Sequence, residues 1–158
     1  MQGNKNIIDK LNDLLADELT AINQYMVHAG MCENWKYERL HKIIEKRAIA
    51  EMKHAEKIID RILFLEGSPT VSRLNKINIG ADIEKQHKND RAAEEAAIKS
   101  YNDVIRLATE LGDNGSREML ESILTEEEDH IDWIEAQLDQ ISHMGMQSYL
   151  VEQIHYFE

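Results

Sequence analysis

Glu18, Glu51 and His54 in the first half of the chain return in the second half as Glu94, Glu127 and His130, each pair 76 positions apart. Carboxylates and imidazoles are metal ligands, and six of them are duplicated at one offset. Each half carries Glu-x-x-His, as Glu51-Met52-Lys53-His54 and Glu127-Glu128-Asp129-His130. Residues three apart on a helix project toward the same point, so each motif offers one carboxylate and one imidazole to a shared centre. Hard oxygen donors with one imidazole per ion suit iron or manganese better than a thiolate-rich zinc site or a soft copper site. The duplication predicts one ion held by Glu18 and His54, a second by Glu94 and His130, and Glu51 and Glu127 bridging between them. Two divalent cations then balance four carboxylates, none of which can be buried bare without a cost of several kcal/mol.

The elements that must position these ligands are legible in the apolar pattern. The repeat itself extends to Tyr25 with Tyr101, Ala55 with Ile131, Ile58 with Ile134, Ile62 with Leu138 and Leu65 with Ile141, which predicts two related helical hairpins facing one site. Ile8, Leu11, Leu15, Ile22, Tyr25 and Ala29 keep 3/4 spacing around Glu18, giving a first helix over about 6–34. A second, over 37–66, carries Leu40, Ile44, Ala48, Ala55, Ile58, Ile62 and Leu65 in register with Glu51 and stops at Gly67-Ser68-Pro69. Residues 67–81 hold the one proline and no helical stripe, too long a stretch for a tight turn, and read as a crossover.

A third helix over 82–111 sets Ile83, Ile98, Tyr101, Ile105 and Ala108 around Glu94, and a fourth over 116–143 sets Leu120, Ile123, Leu124, Ile131, Ile134, Leu138 and Ile141 around Glu127. Gly145 suits the C-terminal cap, and a short helix over about 146–155 carries Leu150, Val151 and Ile154. The four long helices would each span roughly 42–45 Å at the helical rise per residue. Two short turns and one long crossover describe an all-α, ferritin-like four-helix bundle with a short C-terminal helix, in one domain over 1–158. A Glu from two helices and Glu-x-x-His from the other two is the known ligand pattern of di-iron bundles of this kind, applied here to these residues.

A chain of 158 residues can bury a core without staples, and its lone cysteine, Cys32, cannot form an internal disulfide. A half-buried structural thiol in a reducing cytoplasm is the expectation for it. No N-terminal stretch reads as a secretion signal and no run is long enough to span a membrane, which predicts a soluble cytoplasmic protein. The formal net charge of −12 disfavours nucleic acid and favours cations.

Across the whole chain the sequence resembles the bacterioferritins, most closely in Leu19-Thr20-Ala21-Ile22-Asn23-Gln24-Tyr25, in Asp60-Arg61-Ile62-Leu63-Phe64-Leu65-Glu66-Gly67 and in Glu127-Glu128-Asp129-His130-Ile131-Asp132-Trp133. The resemblance implies a ferroxidase that oxidises Fe(II) with O₂ or peroxide at an intrasubunit di-iron site. It also implies storage of the ferric mineral inside a homo-oligomeric shell of 24 subunits, with a reductase as the partner that releases the iron. Haem b shared between two subunits, ligated by Met52 from each, is a further implication. Met52 follows Glu51 and so points about 100° away from the bundle core, where Ile49, Met52 and Ile59 could meet Leu15, Leu19, Ile22 and Met26 of a two-fold neighbour. The chain departs from the family pattern at Lys46 and Ala50, where an inner-surface iron site has His and Asp, and at Glu45, where a Tyr often stands.

Tyr25 and Trp133 lie near the ligand registers and read as core packing or as neighbours of the iron. His28, His41, His87, His143 and His155 lack a partner at ligand spacing and read as surface residues, as do the acids flanking Glu127. Two other functions fit parts of the pattern. A di-iron peroxidase of the rubrerythrin type lacks its usual rubredoxin-like site here, because Cys32 is the only cysteine. A haem-linked electron-transfer or structural cage subunit would use the metals for folding alone.

Overall fold

The computed structural model describes residues 1–157. Four long helices, α1 (Lys5–Asn34), α2 (Glu38–Phe64), α3 (Ile83–Glu110) and α4 (Asn114–Met144), are followed by the short α5 (Met146–Val151), and no strand occurs among the described residues. This is a ferritin-like four-helix bundle. α1 packs chiefly on α2 and α3 on α4, so the two hairpins are the building units and the duplicated ligands face one another between them.

Side-chain caps start three of the long helices. Asn4 accepts the Asn6 N–H at 2.8 Å, Asp82 accepts from Lys85 at 2.9 Å and Asp113 accepts from Ser116 at 3.1 Å. The cap at Asp113 places the start of α4 ahead of the expected Ser116. α2 ends at Phe64, where Glu66 takes the left-handed conformation (φ 62°). Gly145, with φ 80°, closes α4 as its spacing predicted. α5 stops at Val151, short of the expected residue 155, and Gln153 continues the packing by accepting the Arg39 N–H at 3.0 Å.

The crossover climbs the length of α1 on a ladder of polar contacts. Asn12 Nδ2 donates to the Ser68 carbonyl at 3.1 Å and Arg73 pairs with Asp13 at 2.7 Å. Farther up, the Asn75 N–H donates to Thr20 at 2.8 Å, that of Asn78 to Gln24 at 3.1 Å and that of Gly80 to His28 at 3.0 Å. Such side-chain acceptors satisfy backbone that has no helix or sheet of its own. The ladder also returns the chain to the end of the bundle where α3 must begin.

One apolar cluster, with Ile7, Leu11, Leu14, Leu15, Ile58, Ile62, Leu120 and Ile123 at its heart, fills the end of the bundle below the ligands. A second, around Tyr25, Ala29, Cys32, Leu40, Ile44 and Tyr149, fills the other end. Leu15 is fully buried in the first cluster and takes no part in an outer stripe, leaving Leu19, Ile22 and Met26 of that stripe facing outward. Cys32 is likewise fully buried where half-burial was expected.

Three histidines expected at the surface are interior. His28 bridges two elements: its Nε2 accepts from the Gly80 N–H at 3.0 Å, and its Nδ1 lies 2.9 Å from Asp90 Oδ1. His41 Nδ1 lies 3.0 Å from the Ala29 carbonyl. His87 donates to the Tyr149 hydroxyl, which donates onward to Gln137 at 2.8 Å, and burial lowers its pKa to about 4. His143 and His155 are exposed. Ligand spacing cannot reveal these three, because their partners come from distant turns.

Candidate metal centre

At mid-length of the bundle the apolar face of every long helix is interrupted by acid. Glu18, Glu51, Glu94 and Glu127 are each 3 % exposed or less, and His54 is fully buried. The structure brings all six duplicated residues together. Two overlapping sets arise, Glu18 with Glu51, His54 and Glu127, and Glu51 with Glu94, Glu127 and His130, and within each set one donor atom per residue lies inside 4.8 Å of the others.

The two shared carboxylates divide their oxygens. Glu127 turns Oε1 to His54 Nδ1 at 2.9 Å and Oε2 to His130 Nδ1 at 3.7 Å. Glu51 turns Oε2 to His54 Nδ1 at 3.3 Å and Oε1 to His130 Nδ1 at 3.0 Å. The unshared carboxylates each meet one imidazole, Glu18 that of His54 at 3.6 Å and Glu94 that of His130 at 3.5 Å. The two rings stack with centroids 6.2 Å apart.

These atoms are close without being hydrogen-bonded to capacity. Glu18 Oε2, Glu51 Oε1, Glu94 Oε2, Glu127 Oε1 and His130 Nδ1 are buried with no aligned hydrogen-bond partner, despite the short approaches just given. Buried polar atoms are rarely left so, and here the orphans all point into the same space. Oxygen and nitrogen lone pairs converging on two points are what divalent cations of the iron and manganese type require, so the residues fit a two-metal site.

The electrostatics describe the same tension. Burial and the charge of Glu51 drive the pKa of Glu18 well up, and burial with the Glu127 hydrogen bond pushes Glu94 up to about 7. Glu51 goes the other way: burial opposes ionisation, but the close approaches of Glu18, His130 and His54 hold it at about 2. Burial would lower both histidines, yet the carboxylates led by Glu127 overcome it, raising His130 to about 10 and His54 further still. Without cations, Glu18 and Glu94 tend to retain protons while Glu51 and Glu127 are held ionised.

Three neighbours complete the surroundings. The Tyr25 hydroxyl donates to Glu94, and the Tyr101 hydroxyl donates to Glu18. Burial and the surrounding carboxylates keep both phenols protonated, as donors must be. Glu126 sets Oε2 2.8 Å from His54 Nε2, although it was expected to be only a solvated flank of Glu127. Its signal was absent from the sequence because it has no counterpart in the repeat. Trp133 lies against Arg47 and His87, 5.6 and 5.7 Å from them, and not against the carboxylates. Met52 is 44 % exposed on the far face of α2, outside this centre.

A cleft of about 270 Å³ joins the centre to the protein surface between α1, α3 and the crossover. Asp17, Asn75 and Asn78 line it along with the small side chains Ala93 and Ala97, and Glu18, Glu51, Glu94 and Glu127 also contribute to its lining. Small ions and diatomic molecules have a route to the carboxylates.

The ferritin-like domain family matches residues 8–144 of the chain. The bacterioferritin of Rhodobacter capsulatus is 39 % identical over 149 residues, 94 % of this chain and 92 % of that protein. That of Brucella melitensis biotype 1 is 37 % identical with the same coverage, and that of Mycobacterium bovis is 38 % identical over 94 % of each chain. The chain belongs to the bacterioferritin family. Bacterioferritin membership agrees with the buried carboxylate and histidine cluster, whose ligand roles rest on the geometry above.

Proposed function

We propose that this bacterioferritin-family protein stores iron and is a ferroxidase, taking two Fe(II) per subunit as substrate at Glu18, Glu51, His54, Glu94, Glu127 and His130. The observation that carries the reading is the splitting of Glu51 and Glu127, each of which offers one oxygen to either half. Such bridges hold two ions at a fixed, short separation, so that two electrons can leave together. Two Fe(II) ions reduce one O₂ with two protons to hydrogen peroxide, or one peroxide with two protons to two waters. Pairing the electrons avoids release of one-electron oxygen radicals.

The chain's own groups have defined parts in this. The cleft beside Asp17 and Asn75 admits Fe(II), favoured by the formal net charge of −12. Protons displaced from Glu18 and Glu94 by the arriving cations become available to the reduced oxygen product. Tyr25 and Tyr101 hold the terminal carboxylates in orientation as the charge of the site changes. Release of Fe(III) into the hollow of a 24-subunit homo-oligomer would complete storage, and the exposed apolar residues Met26, Ile49 and Met52 support a subunit interface. Haem b ligated there by Met52 from two subunits belongs to the same reading, and a reductase would serve iron release.

The experiment is an anaerobic Fe(II) titration of protein stripped by a chelator, followed by O₂ or peroxide and by measurement of assembly size. Two Fe(II) per chain, rapid oxidation and iron retained in a particle of 24 chains are expected. Peroxide turnover with no iron retained would replace storage by a peroxidase function, and unchanged stoichiometry in Glu94→Ala and His130→Ala would remove those residues from the site.

A further inference from the structure

The duplication that builds the centre is broken at one position touching it. His54 Nε2, the nitrogen facing away from the carboxylate cluster, meets Glu126 Oε2 at 2.8 Å, and the other oxygen of Glu126 lies 3.9 Å from Lys57 Nζ. In the first half the position equivalent to Glu126 is occupied by Ala50, whose methyl accepts no hydrogen bond. Among the described residues no carboxylate reaches the outer nitrogen of His130. Its side chain is 11 % exposed against 1 % for His54, and the charge that acts on it from outside the cluster is the cation Arg47, stationed over the Trp133 ring at 5.6 Å.

An acceptor on the outer nitrogen does two things to an imidazole ligand. It fixes the proton on Nε2, which leaves the Nδ1 lone pair free for the metal, and it raises the basicity of that lone pair. His54 Nδ1 is the atom aimed at Glu18, Glu51 and Glu127, so Glu126 sits where it can do both. His130 Nδ1 is aimed at Glu51, Glu94 and Glu127 with neither aid. A guanidinium nearby adds repulsion toward an incoming cation.

We propose that the two metal positions are inequivalent, the Glu18–His54 position binding a divalent ion first and holding it, the Glu94–His130 position binding second and exchanging. Glu126 is the positioning residue that makes the difference. The inference rests on the two-metal reading above and concerns affinity, not turnover.

Anaerobic titration of the chelator-stripped protein with Co(II) alone, followed by calorimetry and by the visible bands of the bound ion, tests it. Two Co(II) per chain should bind in two steps separated by about 10-fold or more in affinity. Glu18→Ala should abolish the first step and Glu94→Ala the second. Glu126→Ala should weaken the first step about 10- to 100-fold and shift the Co(II) bands of that step, while Glu126→Gln, which keeps an acceptor, should recover part of both. Ala50→Glu should strengthen the second step. Two ions binding with one common affinity, or a first step indifferent to both Glu126→Ala and Glu126→Gln, would overturn the proposal while leaving the two-metal reading intact. Fewer than two ions bound by the unaltered protein would overturn that reading, and this inference with it.

Discussion

The Tyr101 hydroxyl donates a hydrogen bond to Glu18, a carboxylate on the opposite hairpin. Its repeat partner Tyr25 returns the bond to Glu94 in the other direction. Each hairpin therefore orients the terminal carboxylate of its neighbour, and neither half-site is complete within one half of the sequence. A change at either tyrosine acts on a carboxylate of the facing hairpin, and so on the metal position proposed there.

Tyr101→Phe keeps the ring that fills the lower core and deletes only the donor. Loss of a hydrogen bond to a buried carboxylate costs about 1–3 kcal/mol, and an outer partner of a ligand is worth about 10- to 100-fold in metal affinity. The variant should bind Co(II) more weakly at the position that Glu18→Ala also damages, and should melt earlier than the unaltered protein once stripped. Equal isotherms for Tyr101→Phe and the unaltered protein would show that the phenol merely packs.

The apolar pattern of the sequence exposes some helices and their acids more plainly than others. The stripe through α2 and α4 is continuous, so both helices and their ligands follow from spacing. On α3 the buried face runs Gln86, His87, Asp90 and Glu94, a polar stretch that apolar periodicity cannot detect. Its polar partners are the crossover, α1 and α5, through Gly80, Gln24 and Tyr149, contacts that bring together residues 6 to 66 positions apart. Glu126 was hidden for a different reason: half-exposed and flanked by acids, it looks like a solvated face, and only the placement of His54 distinguishes it from Glu128 and Asp129.

The pH response of the stripped protein has a definite sign. Glu94 is raised from 4.5 to about 7 and His130 from 6.5 to about 10. Between those values the folded chain binds more protons than the unfolded chain, so stability falls as pH rises. Glu51, lowered to about 2, gives stability that is present above 4.5 and lost as pH falls toward 2. The stripped protein should accordingly melt highest near the foot of the Glu94 window and progressively lower toward pH 9. Loading with Zn(II) should reverse the upper trend, because binding displaces the same protons and strengthens with pH. Melting curves at pH 5, 7 and 9 with and without Zn(II) check this; a stripped protein that gains stability from pH 5 to 9 would contradict the assigned charges.

Gly80 has a stricter requirement than its place in a loop implies. A Cβ there would lie 2.2 Å from the Gln86 backbone nitrogen and 2.6 Å from its Cα, and backbone at the start of α3 cannot turn aside. Gly80→Ala should cost about 1–3 kcal/mol, as overpacking does. It should also loosen the crossover that its N–H ties to His28. Faster amide exchange over residues 75–80, with the lower half of α2 unchanged, is the expected pattern. Wild-type protection at Gly80→Ala would mean that the close approach is not maintained.

Met52 carries the prediction that depends most on assembly. Its side chain is exposed one turn from exposed Ile49, and on α1 Met26 is exposed and Leu19 and Ile22 half-buried, as is Ile59 on α2. A two-fold neighbour presenting the same face would set two thioethers opposite each other, which fits a haem iron ligated from both sides. Glu45 is drawn toward His41 and Lys42, at 3.9 and 4.0 Å. The expected result is one haem per two chains with the spectrum of paired thioether ligation. Met52→Ala should lose the haem, and Met52→His should keep it with a different axial spectrum. Because Met52 lies outside the carboxylate cluster, both variants should still bind two Co(II) per chain. Haem bound equally by Met52→Ala, or none bound by the unaltered assembly, would sever Met52 from haem and leave its apolar face to subunit packing alone.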